Sequence, residues 1–206
     1  MRKSKHTIFA DQYLQESKSI IEKIDLTAIE RMTTLLVDLR KRNGRLFLIG
    51  VGGGAGHAGH AVNDFRKLAG IEAYSPSDNV SELTARTNDE GWDTTYAAWL
   101  EGSHLTKNDM LFVFSVGGGD LEQNISPNIV RAVQLAKKVG ADVIGVLGRN
   151  GGYTATMATV CVIVPTVNPS MITPHTETFQ ALVWHLLVSD PRLQMISNKW
   201  ESSDKK

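Results

Sequence analysis

The residues best suited to chemistry lie in GVGGGAGHAGHAVND, positions 50–64, where His57, His60 and Asp64 follow a glycine-rich loop. On a helix beginning near Gly54 they share one face. His60 and Asp64 are four apart, so both side chains can meet on one ligand. An imidazole and a carboxylate suit zinc or a similar divalent ion. Two donors do not complete a site. The segment PHTETFQALVWHLL, 174–187, reads as an amphipathic helix carrying Glu177 and His185. They are eight apart, two turns along nearly the same face. Taken alone, each helix reads more readily as ordinary structure. His185 then becomes a core histidine between Trp184 and Leu186, and Glu177 a first-turn acid favoured by the helix dipole. Their joint presence beside glycine loops favours ligation.

The glycines admit three readings. Gly50-x-Gly52-x-x-Ala55 fits the relaxed dinucleotide pattern, but that pattern also needs an acid closing the second strand to hold a ribose. In IEAYSPSDN, Glu72 comes too early and Asp78 falls beyond a proline. A phosphate loop fits better, because glycines let backbone N–H groups turn inward and the next helix adds its positive end. SVGGGDLEQNISPN, 115–128, repeats the logic, with Ser126-Pro127 as a helix start. Plain close packing is the third reading. The cradle expected for an anion is then Gly52, Gly53, Gly54, Ser115, Gly117, Gly118, Gly119 and Ser126.

Elements must hold these residues in place. Apolar residues recur at threes and fours over 8–42, predicting helix with a break near Asp25–Thr27. RLFLIGV (45–51), DMLFVFSV (109–116), DVIGVLG (142–148) and VCVIVPT (160–166) are continuous apolar runs, the mark of parallel strands buried on both faces. IEAYSPS (71–77) is a weaker fifth. Helical stretches at 54–69, 92–103, 127–139, 151–158 and 176–189 alternate with them. The expectation is a doubly wound, three-layer α/β fold on a five-stranded parallel sheet. It is read as one domain over 1–206, a helical extension at 8–42 on an α/β core at 43–190. In such folds ligands bind beyond the carboxyl ends of the strands, and every glycine-rich segment falls at that edge.

Lys plus Arg and Asp plus Glu number 22 each, for zero net charge, with no basic block. Nucleic acid is therefore not an expected partner. One cysteine, Cys161, excludes a disulfide framework and fits a reducing compartment. The N-terminus lacks an apolar signal core, and no run approaches the roughly 18 apolar residues of a membrane span. The expectation is a cytoplasmic protein with no membrane partner.

These segments resemble the sugar isomerase (SIS) family, and within it the phosphoheptose isomerases, from about residue 10 to 190. GVGGG stands where the family has GNGGS, TNDEGWD where it has an NDFGF-type segment, and GRNGGYTATMA where it has GKDGGKMA. The resemblance implies a zinc ion held by His60, Asp64, Glu177 and His185. It also implies Asp64 and His185 as the acid/base pair, and Asp89 as a substrate contact. It further implies a sugar-phosphate substrate and a homotetramer with sites at subunit interfaces. The activity implied is ketose–aldose isomerisation, and the alternative is a non-catalytic sugar-phosphate sensor. The chain departs from the pattern at Val51 and Gly54, which replace Asn and Ser. Its 115–126 loop is longer than the family's and gains Asp120. His57 has no counterpart role.

Overall fold

The computed structural model describes residues 5–196, with side chains from residue 8. Two helices open it, α1 (Lys5–Lys23) and α2 (Leu26–Lys41). Asp25 makes the break expected there. Its Oδ1 accepts from Thr27 N at 2.8 Å and Ala28 N at 3.1 Å, capping α2. Arg40 and Lys41 complement the negative end of that helix.

Five parallel strands follow: β1 (Leu46–Gly50), β2 (Ala73–Tyr74), β3 (Met110–Ser115), β4 (Asp142–Leu147) and β5 (Val160–Ile163). Their order in the sheet is β2-β1-β3-β4-β5. β1 and β3 are buried throughout, which explains their unbroken apolar sequence. Side chains alternate between two core layers. Leu46, Leu48, Phe112 and Phe114 face one core, with α2, α3 (Gly53–Lys67) and α8 (Ile172–Ser189). Phe47, Ile49, Leu111 and Val113 face the other, with α5 (Thr95–Gly102) and α6 (Pro127–Val139). This is the expected three-layer, doubly wound fold.

Two elements differ from the sequence reading. The fifth strand shrinks to the two residues of β2. A helix not anticipated, α4 (Val80–Glu90), precedes α5, capped by Asn79, whose side chain accepts from Glu82 N. No residue of α4 is buried, so it carries no apolar period to reveal it. The short α7 (Gly152–Met157) lies between β4 and β5.

The strand order sets the site. The chain leaves β1 toward β2, then returns to lay β3 on the other side of β1. That reversal opens a crevice beyond the ends of β1 and β3. Gly50 pairs in register with Phe114 there, so the loops after these strands face each other.

Candidate functional site

At the end of β1 each glycine has a separate task. A Cβ on Gly50 would collide with the Gly54 carbonyl, and one on Gly54 would lie 2.5 Å from Phe114 O. These two residues seat the first turn of α3 directly on β1 and β3. Tyr96 Oη donates to Gly50 O at 2.6 Å, and burial pushes its phenol pKa up to about 12. Gly52 adopts φ +59°, a left-handed conformation that glycine takes without strain, and its Cβ side is open. A Cβ on Gly53 would lie 2.5–2.6 Å from the Glu177 carboxyl group. The positive end of α3, expected to face a phosphate, thus already has a carboxylate against it, a favourable position for negative charge. Close packing accounts for Gly50 and Gly54. Anion geometry involves Gly52 and Gly53.

One turn further on, α3 meets α8. His60, Asp64 and His185 each place a ligand atom within 4.8 Å of the others. His60 Nε2 lies 3.9 Å from Asp64 Oδ2. The His60 and His185 rings are 5.5 Å apart and nearly perpendicular. Neighbours fix the donor atoms. Asn63 Nδ2 donates to Asp64 Oδ1 at 2.8 Å. His185 Nδ1 lies 2.8 Å from Ala181 O. A carbonyl only accepts, so Nδ1 carries the proton and Nε2 keeps its lone pair in the neutral ring. A metal-binding histidine needs such an anchor. Two imidazoles and one carboxylate suit zinc or a similar ion. Trp184, fully buried, stacks on His185 at 3.4 Å and meets His60 at 4.7 Å. Asn63, Ala181 and Trp184 escape sequence reasoning as functional residues, since their roles depend on which atoms they reach.

Glu177 is not in the three-residue group. His57, half-buried, interacts with Glu177 and with both histidines of the group. Burial pushes its pKa down, against the pull of the Glu177 carboxylate and of the Glu177 backbone, while His60 and His185 add to the lowering. Its ring meets Phe114 edge-on at 6.4 Å.

The second glycine loop is tied to α7. Gly118 O accepts from Thr154 N at 2.9 Å and Thr154 Oγ1 at 2.7 Å, and Gly119 O accepts from Tyr153 N at 2.8 Å. A Cβ on Gly118 would overlap the Gly151 carbonyl, and one on Gly152 the Gly117 carbonyl. Ser115 Oγ accepts from Gly118 N at 3.0 Å, drawing the loop back over the end of β3. Asp120, unfavourable beside a phosphate, is occupied with its own loop. Its Oδ1 accepts from Glu122 N at 2.9 Å and Gln123 N at 2.8 Å. Its backbone exchanges two hydrogen bonds with Ile125. The extra residues thus close on themselves as a small hairpin. Ser126 stands at the N-cap of α6 before Pro127, as expected, but with φ +49° and no hydrogen bond from its side chain to the helix. Asp89 is exposed at the end of α4, its carboxylate receiving Asn88 Nδ2 at 2.7 Å.

Comparison with known proteins agrees with this architecture. The chain is 33% identical to the lincomycin biosynthesis protein LmbN of Streptomyces lincolnensis, over 74% of this chain and 58% of that one. It is 31% identical to the phosphoheptose isomerase of Nitratiruptor sp., over 75% of this chain and 80% of that one. Among solved structures it resembles the phosphoheptose isomerase of Neisseria gonorrhoeae, with a TM-score of 0.76 at 23% identity, over 90% of this chain and 97% of that one. The SIS domain model matches residues 12–148. With a parallel sheet reversing between β1 and β3, and glycine loops closing both strands, the chain belongs to the SIS domain family.

Proposed function

We propose that this protein is a phosphosugar aldose–ketose isomerase acting on sedoheptulose 7-phosphate. The observation that carries the reading is the convergence of His60, Asp64 and His185 from two helices within 4.8 Å, a donor set a pure binding module does not need. These three residues would hold a divalent ion; Glu177, a fourth donor in the family's pattern, here sits against Gly53 outside the group. When bound, such an ion lowers the energy of negative charge developing on neighbouring oxygens.

The chain's own groups supply the rest. Isomerisation takes a proton from C1 of the ketose and returns one to C2 through an enediolate, with matching proton movement at the oxygens. Asp64 and His185 are assigned the transfers. Asp64 is braced by Asn63 and His185 by Ala181, so each presents one free atom, which serves either the ion or the proton at a given step. Ser115, Ser126 and the backbone N–H groups around Gly52–Gly54 and Gly117–Gly119 are assigned to the phosphate, and Asp89 to the sugar hydroxyls.

The reading extends to assembly. Ile8, Phe9, Leu14 and Ile21 on α1 are exposed, as are Leu182 and Leu186 on either side of His185. This exposed apolar surface on α1 and α8 supports a homotetramer with sites at subunit interfaces. Among the described residues no helix is long and apolar enough to cross a membrane. The single thiol supports a cytoplasmic setting.

The decisive experiment incubates the purified protein with sedoheptulose 7-phosphate in deuterium oxide and follows C1 and C2 by NMR. Deuterium enters if the reading holds. Elemental analysis then compares wild type with His60→Ala. No exchange with any seven-, six- or five-carbon sugar phosphate would leave a non-catalytic sugar-phosphate sensor. Equal metal content in the two proteins would remove the metal centre.

A further inference from the structure

We propose that Trp184 is a positioning residue that holds both imidazoles of the metal group, His60 and His185, in ligating orientation. The inference rests on the metal reading above and adds to it a residue that supplies no ligand atom. Three observations carry it. First, one indole contacts both rings: it stacks on His185 with centroids 3.4 Å apart at 28°, and meets His60 at 4.7 Å and 64°. Second, the indole is packed on all sides. It is completely buried in the core that α8 shares with α3, while the His60 side chain is 59% exposed. An exposed imidazole loses rotamer freedom when it binds a metal. A rigid aromatic wall on its protein side imposes that loss in advance. Among the described residues His185 has one side-chain hydrogen bond, Nδ1 on Ala181 O, which fixes one atom and leaves the ring plane to be set by the stack. Third, among the described residues Trp184 Nε1 is buried without a hydrogen-bond partner. An orphaned N–H destabilises a core, so packing alone is better served by an apolar ring. The broad indole face is what the site gains in return.

Groups behind metal ligands typically alter affinity by tenfold or more when removed. The test titrates metal-free protein with cobalt(II), followed by calorimetry and by tryptophan emission. In wild type, cobalt quenches emission, and Trp184→Phe removes most of that quench while binding stays close to wild type, because a flat ring remains. Trp184→Leu keeps an apolar core but loses the plane, and binds about tenfold weaker or worse. Trp184→Met replaces it if the leucine variant fails to fold. If neither folds, the proton spectrum of wild-type protein decides. The ring protons of His185 must then be shifted upfield by the stacked indole, and ordinary shifts overturn the proposal. Equal cobalt affinity in wild type and the leucine or methionine variant also overturns it, without touching the metal centre. A wild-type protein that takes up neither cobalt nor zinc fails at the earlier step, the metal reading itself.

Discussion

Gly53 and Gly54 are neighbours in the first turn of α3, yet replacing each by alanine should have opposite consequences. The Gly54 Cβ would lie 2.5 Å from Phe114 O, an atom of the central strand β3. That oxygen moves only with the sheet. Overpacking of this kind costs about 1–3 kcal/mol. For a protein of this size each kcal/mol lowers the melting midpoint by about 2–4 °C, so Gly54→Ala should lose roughly 2–12 °C. The Gly53 Cβ would instead meet the Glu177 carboxyl at 2.5–2.6 Å, the free end of a flexible side chain that can rotate away. Alanine also restricts the unfolded chain, a gain of about 0.4–1 kcal/mol where the backbone permits it. Gly53→Ala should therefore melt near wild type. Its mark is electrostatic. The Glu177 charge raises the His57 pKa, so displacing the carboxylate lowers that pKa further. Thermal unfolding by circular dichroism measures the first effect and a histidine NMR titration the second. An undiminished midpoint for Gly54→Ala, or an equal loss in both variants, would refute the assignment of close packing to Gly54 and not to Gly53.

Other outcomes follow from the same geometry. Asp109, 3% exposed, receives Arg45 and Thr106 through side-chain and backbone donors, locking the start of β3 to that of β1. Burial pushes its pKa up, but those hydrogen bonds outweigh it and hold the carboxyl below its usual range. Breaking a buried pair costs about 3–5 kcal/mol, so Asp109→Asn should destabilise strongly at neutral pH. A depressed pKa contributes stability above the unfolded value and loses it as pH falls through the folded one, so denaturation series should show the deficit shrinking below about pH 4. Asp120→Ala removes the acceptor for Glu122 N and Gln123 N; hydrogen exchange across 120–125 should accelerate while β3 is unchanged. Burial pushes the Cys161 thiol up to about 12, so iodoacetamide at pH 8 should leave it unmodified in the native protein and alkylate it in urea.

Much of this molecule is legible one segment at a time. The unbroken apolar runs of β1, β3 and β4, the cap at Asp25 and the His60–Asp64 spacing depend on interactions within a few residues. Helix α4 leaves no apolar signature in the sequence because none of its residues is buried. Only two unfinished donor pairs in the sequence point to the partnership of α3 with α8. Sequence by itself determined the sheet, its parallel sense and which residues have donor chemistry, since periodicity and side-chain type are local properties. Tertiary structure decided the remainder. It placed Glu177 against Gly53 rather than within the His60–Asp64–His185 group, and turned Asp120 onto its own loop. It also laid one buried indole behind two histidines. Each of these is a contact between residues distant in the chain, or a choice among rotamers, and spacing along the sequence carries no information about either.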